Sequence, residues 1–289
     1  MAIEKYQACD QLKNLDSHLY DLACFCEHLG NKANYKDNGD TICVNTGTIG
    51  SWLKLAAQLD KVDINTWKFS SDSELNCGYA SDNVNADMKH YSSYSTLLTK
   101  FIFISNALEE MYRFIVPIYK NNNSLIKKGL KKPSMQAAAL IDICTDSELP
   151  KYFHHILEKF IDSFNSCDDI KKNQLRGMKE VQVTDFSYGL HLIRNIRNYV
   201  AHGNIPIIIT PSWYDDYDRK EALFAVIENT YRFSCFFIQI LLNKYNNGMQ
   251  SDHYKQSIKG IGKEFDFYRE NCNPKIALNL HLLNCFSFQ

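Results

Sequence analysis

Apolar residues in the last two thirds of the chain recur every three to four positions, and this spacing constrains the fold more than any other feature. It is clearest on one face of a long helix, which carries Tyr94, Leu98, Phe101, Ser105, Leu108, Tyr112 and Ile115. The same spacing predicts further helices at 134–144, 148–165, 184–201 and 218–245. Pro117 is expected to kink or end the first helix. Because every strongly periodic segment is helical, we predict an all-α bundle.

The first ninety residues show a weaker pattern. Helical spacing at 3–29 and 49–61 predicts two helices, with a loop after Gly30 between them. Residues 69–90 are rich in Ser, Asp and Asn, which predicts a loop or a domain boundary. The resulting division of the chain is a helical, regulatory N-terminal region (1–90), a helical domain (91–250) and a C-terminal extension (251–289).

Composition and charge argue against several classes of protein. The longest apolar run, residues 233–242, is shorter than the roughly 18 residues that a membrane span needs. The N-terminal stretch MAIEKYQACDQLKNLD carries acidic side chains and lacks the apolar segment of a signal peptide. We therefore expect a cytoplasmic protein without a membrane partner. The formal net charge is −1, so any contact with nucleic acid has to come from a local patch.

The most informative segment is FSYGLHLIRNIRNYVAHGN, residues 186–204. On a helix with Phe186 as the reference direction, the apolar stripe spans about 60° to either side and Arg197 lies at about 20°. Arg197 is therefore expected in the middle of the apolar stripe, with Asn195 and Asn198 on the polar side. A guanidinium keeps its charge, so this position requires a carboxylate partner or a cleft that receives an anion.

The chain offers partners for this arginine. Glu109 and Glu110, on the long helix, are the candidate carboxylates. His202 follows five residues after Arg197 and immediately precedes Gly203, where a left-handed cap is expected to end the helix. We expect the His202 ring to lie off the regular helix and to turn toward the same opening as Arg197.

An arginine and a histidine at one cleft suit RNA cleavage without a metal ion. The 2′-hydroxyl has to lose a proton, the phosphate gains charge in the transition state, and the leaving 5′-oxygen has to gain a proton. A histidine titrates near neutral pH and serves as an acid or a base. An arginine offers a fixed fork of donors to phosphoryl oxygens. The substrate supplies the nucleophile, so no serine or cysteine is needed.

RNYVAH, residues 197–202, has the form Arg-Asn-x-x-x-His and resembles the Arg-x4–6-His motif of the HEPN superfamily. The resemblance covers about residues 91–245, from the long helix to the closing helix. It implies a HEPN-like bundle that cleaves RNA as a homodimer, with Arg197 and His202 catalytic, Asn198 orienting the motif, and Glu109 or Glu110 bracing Arg197. Such domains often serve as toxins or antiviral defence effectors, so an antitoxin or another regulatory partner is also expected.

One position departs from a known variant of this motif. Members that a nucleotidyltransferase antitoxin neutralises continue the motif as His-x-Tyr, whereas this chain has Asn204 at that position. That mode of control is therefore in doubt here.

Several other residues are candidates for binding RNA. Arg194, one turn before Arg197, is placed to hold a neighbouring phosphate or to lie at the surface. A basic run between 120 and 132 includes Lys127, Lys128, Lys131 and Lys132, and either attracts phosphates or forms a solvated loop. Trp213 and Tyr214 follow the motif closely and either stack on unpaired bases or belong to a loop that caps the bundle.

Other interpretations of the chain remain open. The motif is also compatible with a structural ion pair, or with a catalytically silent helical module that binds RNA, a nucleotide or a protein. The pair His154 and His155 suggests a metal-dependent hydrolase, but a hydrated helix face is the stronger interpretation. Cys24, Cys26 and His28 lack an obvious fourth ligand for zinc. We therefore predict no metal site and no cofactor.

Overall fold

The computed structural model describes residues 11–30, 32–37, 39–71, 77–121, 129–171, 181–205, 214–246 and 274–285. Its α-helices are α1 (Leu15–Leu29), α2 (Thr46–Ala57), α3 (Gly78–Asn121), α4 (Pro133–Asp142), α5 (Phe153–Ser166), α6 (Asp168–Lys171), α7 (Tyr188–Ala201), α8 (Tyr214–Tyr245) and α9 (Pro274–Ala277). Short 3-10 helices lie at Thr66–Phe69 and Asp146–Glu148, and two strands, β1 (Lys32–Asp37) and β2 (Asp40–Asn45), pair with each other. The predicted all-α class is confirmed.

The predicted loop after Gly30 contains a β-hairpin. Gly30 ends α1 in the left-handed conformation, with φ at 52°. The antiparallel strands run in register from the pair Lys32 and Asn45 to the pair Asp37 and Asp40. Asn45 is the N-cap of α2, because its side-chain oxygen accepts a hydrogen bond from the Thr48 amide at 2.9 Å.

Helix α3 is much longer than predicted. The prediction of a loop at 69–90 is wrong for residues 78–90, which form the first three turns of this 44-residue helix. Pro117 does not end the helix, which continues to Asn121. The domain boundary expected after residue 90 lies inside α3, and one cluster of buried residues includes side chains from both sides of it.

The described end of the C-terminal extension packs on the rest of the chain. The carbonyl of His281 accepts the amide of Lys13 at 2.9 Å. The carbonyl of Ala277 accepts the side-chain amide of Gln239, from the middle of α8, at 2.6 Å. Residues 251–273 of the predicted extension lie outside the described residues.

Helix α8 is the centre of the bundle. All ten residues from Phe233 to Leu242 are buried, and α1, α3, α4, α5, α7 and α9 all contact this helix. The ring of Phe233 lies 5.1 Å from that of Phe153 and 5.7 Å from that of Phe160, both on α5. None of the helices in the described ranges combines the length and apolar character that a bilayer span requires.

A single glycine sets the distance between α7 and α8. A Cβ atom added to Gly189 would lie 2.0 Å from Cε1 of Phe233, far inside van der Waals contact. Phe233 is fully buried between α5 and α7, so its ring has little room to move away. The helix that carries the Arg-x4-His motif can therefore pack this closely against α8 only because residue 189 is a glycine.

We expect Gly189→Ala to lower the free energy of unfolding by about 1–3 kcal/mol, the usual cost of overpacking a core. Chemical denaturation measures the change. Gly78→Ala is the matched control, because Gly78 begins α3 with nothing within 4 Å of the added Cβ. Equal free energies of unfolding for Gly189→Ala and Gly78→Ala would contradict the close approach of the Phe233 ring to Gly189.

Candidate functional site

The end of α7 carries the predicted catalytic histidine. His202 is the last residue before Gly203, which adopts the left-handed conformation with φ at 65°. The amide of Gly203 donates to the carbonyl of Val200 at 3.1 Å, and the amide of Asn204 donates to that of Tyr199 at 2.9 Å. These two bonds form a Schellman cap, so the predicted left-handed cap is confirmed. His202 is exposed and lies off the regular helix, as expected, because α7 ends at Ala201 and the His202 backbone (φ −95°, ψ 7°) is not helical.

The beginning of α7 is attached to α4 by a carboxylate. Asp142 accepts hydrogen bonds from both the amide and the hydroxyl of Ser187, each at 2.9 Å. Burial raises the pKa of Asp142, and the bonds from Ser187 oppose that change. The helix starts at Tyr188 rather than at the predicted residue 184. Its two ends are therefore defined by the Asp142 contact and by the glycine cap.

The buried face of α7 differs from the predicted one. Ile196 is fully buried, whereas the Arg197 side chain is 39% exposed, so Arg197 lies at the edge of the apolar stripe rather than in its middle. Asn195, predicted on the polar side, is buried and donates its side-chain amide to the carbonyl of His191 at 2.9 Å. Asn198 is exposed, as predicted.

Arg197 contacts one of its two predicted partners. Its Nη1 atom donates to Oε1 of Glu109 on α3. Glu110 instead pairs with Arg113 on its own helix at 2.7 Å, so the alternative that Glu110 braces Arg197 is wrong. Burial raises the pKa of Glu109, and this effect exceeds the opposing influence of Arg197 and Arg113. The guanidinium is thus oriented by a carboxylate and still reaches solvent.

Arg194 lies in a different environment one turn earlier. Its Nη1 atom contacts Sδ of Met135 on α4 at 2.6 Å, and no carboxylate in the described ranges pairs with it. Burial lowers the pKa of Arg194. The buried hydroxyl of Tyr112 has no hydrogen-bond partner among the described residues, and its electrostatic neighbours are Glu109, Arg197 and Arg194. Of the two arginines, Arg194 has the uncompensated charge, which makes it the stronger candidate for holding an anion.

Arg197 and His202 are not neighbours on a regular helix. Five residues of ideal α-helix turn the side-chain direction by about 500°, which corresponds to about 140° between the two positions. The described residues show no hydrogen bond from the His202 ring to Arg197. Ideal helix geometry therefore does not place both residues on one face of a single α7.

The remaining candidate RNA-binding residues are only partly described. Lys131 and Lys132 are exposed and directly precede α4, the helix whose Met135 contacts Arg194. Tyr214 is the first residue of α8. Lys127, Lys128 and Trp213 lie outside the described residues.

The histidine pair on α5 does not form a metal site in the structure. His154 is exposed, and its Nε2 atom lies 3.1 Å from a carboxylate oxygen of Asp146. Across the described ranges, no three His, Cys, Asp or Glu side chains are grouped closely enough to hold a metal ion. His154 fits the hydrated helix face, whereas His155 does not, because it is only partly exposed and both of its ring nitrogens are buried.

Sequence reasoning missed His191, Tyr112 and Asp142. His191 is 4% exposed, and burial, aided by the charge of Arg194, lowers its pKa to about 4. Its spacing of three residues from Arg194 was the available signal, because such residues are neighbours on a helix. No comparable local signal marks Tyr112 or Asp142, because their roles depend on contacts between helices.

Comparisons with family models, curated proteins and solved structures gave no match to this chain. The function must therefore be argued from the geometry of the site itself.

The buried imidazole of His191 predicts a loss of stability in acid. Its folded-state pKa of about 4 lies below the unfolded value of 6.5. Neutral His191 thus contributes stability that is fully present above pH 6.5 and is lost as the pH falls toward 4. Between pH 8 and pH 5, the free energy of unfolding should fall by about 2 kcal/mol more in the parent than in His191→Gln.

Urea denaturation at several pH values measures this difference. The comparison at pH 8 isolates the packing cost of the substitution, because the imidazole is then neutral in both the folded and the unfolded chain. If the free energy of unfolding falls equally with pH in the parent and in His191→Gln, this histidine is not the cause of the loss of stability in acid.

Proposed function

We propose that the protein is an endoribonuclease that uses Arg197, Arg194 and His202 and requires no metal ion. The observation that carries the proposal is the arrangement of α7. Two arginines one turn apart lie at the edge of the core, and an exposed histidine follows the end of the same helix. Glu109 orients Arg197, whereas Arg194 has no carboxylate partner among the described residues. The resemblance of RNYVAH to the HEPN motif supports the same function.

The chemistry of the proposed reaction matches these groups. The 2′-hydroxyl of the RNA loses its proton to an imidazole, and its oxygen attacks the adjacent phosphorus. The bond to the 5′-oxygen breaks, and that oxygen receives a proton from an imidazole. The guanidinium groups stabilise the charge that develops on the phosphoryl oxygens. The products end in a 2′,3′-cyclic phosphate and a 5′-hydroxyl.

The proposal includes a second copy of the chain. Within one copy, ideal helix geometry separates the positions of Arg197 and His202 by about 140°. A two-fold interface places the same residues of both copies beside one another, so that the motif of one chain complements that of the other. Two His202 rings at one groove supply both the base and the acid that the reaction needs. A role as a toxin or defence effector, and control by an antitoxin or other regulatory partner, rest on the resemblance alone.

The decisive experiment incubates the purified chain with labelled RNA in EDTA. We expect cleavage by the parent, and initial rates at least about 100-fold lower for Arg197→Ala and His202→Ala. Arg219→Ala and His154→Ala are matched controls, because Arg219 is ion-paired with Asp169 and His154 is exposed near Asp146. An RNA of the same sequence with 2′-deoxyribose at every position should resist cleavage, because the nucleophile is missing.

Undiminished cleavage by both Arg197→Ala and His202→Ala would rule out the nuclease assignment for this site, as would cleavage of the 2′-deoxy strand. Activity that EDTA abolishes would favour a metal-dependent hydrolase.

A second candidate function is an RNA-binding module without catalytic activity. The observation that favours it is the pairing of Arg197 with Glu109, which engages part of the guanidinium in a contact between helices. In that case the parent binds RNA but does not cut it, and binding depends on Arg194 rather than on His202.

Arg194 should contribute to RNA affinity under either proposal. Binding to the 2′-deoxy strand, measured by fluorescence anisotropy at several salt concentrations, separates affinity from cleavage. Arg194→Ala should weaken binding and reduce the slope of log K against log salt by about 0.7, the value for one phosphate contact on a single strand. Arg219→Ala should leave the slope unchanged. Equal slopes for the parent and Arg194→Ala would show that Arg194 does not contact the backbone.

A further inference from the structure

A cleft of about 760 Å³ lies apart from the proposed nuclease site. It is formed by the start of α1, by the segment after α2, and by α3, α5 and α8. None of the residues Arg194, Arg197, His202 and Glu109 lines it. Its volume falls in the range of about 300–1,000 Å³ that is typical of sites for small organic ligands.

The inner wall of the cleft contains a cation without a carboxylate partner. Arg232 donates from Nη2 to the carbonyl of Lys13 at 2.7 Å, and its Nη1 lies 3.4 Å from Nδ1 of His18. Burial and the charge of Arg232 hold the pKa of His18 well below its usual value, so the imidazole stays neutral. Across the described ranges, no ion pair joins Arg232 to an acid, although Glu228 lies one turn earlier on α8. The charge of Arg232 is thus balanced by neutral groups alone.

Three lysines and three carboxylates line the same cleft, namely Lys61, Lys100, Lys159, Asp16, Asp60 and Glu228. With Arg232, the lining therefore carries four cations against three carboxylates. Lys100, on α3, is 13% exposed and pairs with the exposed carboxylate of Asp16 at 2.7 Å. Lys159, on α5, lines the same cleft. A guanidinium without a counter-charge is costly to bury, so the cleft favours an anionic group beside Arg232. Arginine also matches the planar geometry of carboxylate and phosphate groups.

Apart from its charged residues, the wall of the cleft is apolar or carries neutral polar groups. The apolar side chains are Leu12, Leu15, Leu97, Ile156 and Phe224. Thr96 and Asn229 provide hydrogen-bonding groups near them. This combination of an apolar wall with a few polar and charged groups is the usual composition of a small-molecule site.

We propose that this cleft binds a small organic anion, with its carboxylate or phosphate group at Arg232 and Lys100 and its apolar or aromatic body against Leu97 and Phe224. The site is independent of the proposed nuclease activity. An occupant would contact α1, α3 and α8 at once, so its binding would stabilise the attachment of the N-terminal helices to the bundle.

The experiment uses two fluorescent probes with the same aromatic body. One is 8-anilinonaphthalene-1-sulfonate, which is an anion, and the other is N-phenyl-1-naphthylamine, which is neutral. At pH 7 the intact chain should bind one equivalent of the anionic probe, and should bind the neutral probe at least tenfold more weakly. Equal affinities would overturn the proposal, because they would show that the positive charge of the cleft does not select the ligand.

Variants then locate the binding site. Arg232→Gln should weaken binding of the anionic probe at least tenfold, and Lys100→Gln about threefold. Lys54→Gln is the matched control and should bind as the parent does, because Lys54 is also ion-paired, with Glu27, but does not line the cleft. If circular dichroism shows that Arg232→Gln does not fold, the proposal is tested by the affinity of Lys100→Gln for the anionic probe and by the affinity of the parent for the neutral probe. Unchanged affinity in folded Arg232→Gln, or in Lys100→Gln, would overturn the proposal.

Competition identifies the anionic group of the natural ligand class. Decanoate should displace the probe if the cleft selects a carboxylate, and phenyl phosphate should displace it if the cleft selects a phosphate. Displacement by neither compound, at concentrations up to the millimolar range, would contradict an organic-anion site.

Discussion

The structure depends on the complete burial of the second half of α8. A helix with apolar side chains around its whole circumference has to be surrounded by other elements, because any open side would expose apolar surface to water. Residues Phe233–Leu242 are buried on every side, and the surrounding helices include those that carry the candidate site. Helix α7 approaches this centre so closely that Gly189 cannot accept a side chain. The position of Arg194 and Arg197 therefore follows from the packing around Phe233.

The helices of the bundle are predictable where one face is apolar and the opposite face is polar. This was the case for α4 and α5. Helix α4 lies at Pro133–Asp142 against a predicted 134–144, and α5 ends one residue after its predicted end but begins five residues after its predicted start. The start of α3 was not predictable in this way, because residues 78–89 are mostly exposed and lack a strong apolar stripe. The hairpin was not predictable for a related reason. Val44 is the one buried side chain of β2, so the strand lacks the alternation of apolar and polar residues that identifies a strand in a sequence. Pro117 does not end α3 because it lies near the end of a long helix that many earlier residues already stabilise.

The candidate site was predictable in its residues but not in its geometry. Arg197, Glu109 and the cap at Gly203 follow from residue types and spacing. The burial of Arg197 and Asn195 was misjudged because the reference direction, Phe186, lies before the helix begins. The true centre of the buried face is near Leu192 and Ile196, both fully buried. Among the described residues, Arg194 has no carboxylate partner because of where α3 and α4 lie. No local sequence pattern indicates the positions of these helices.

Helix α3 acts as one stiff rod that carries both Lys100 of the cleft and Glu109 of the ion pair. Nine residues of α-helix place these two side chains about 13 Å apart along the axis. Pivoting the rod by about 5° around Lys100 would move Glu109 by roughly 1 Å. Such a displacement is comparable to the difference between a formed and a broken hydrogen bond. The cleft and the ion pair at the candidate site are therefore connected through one continuous helix.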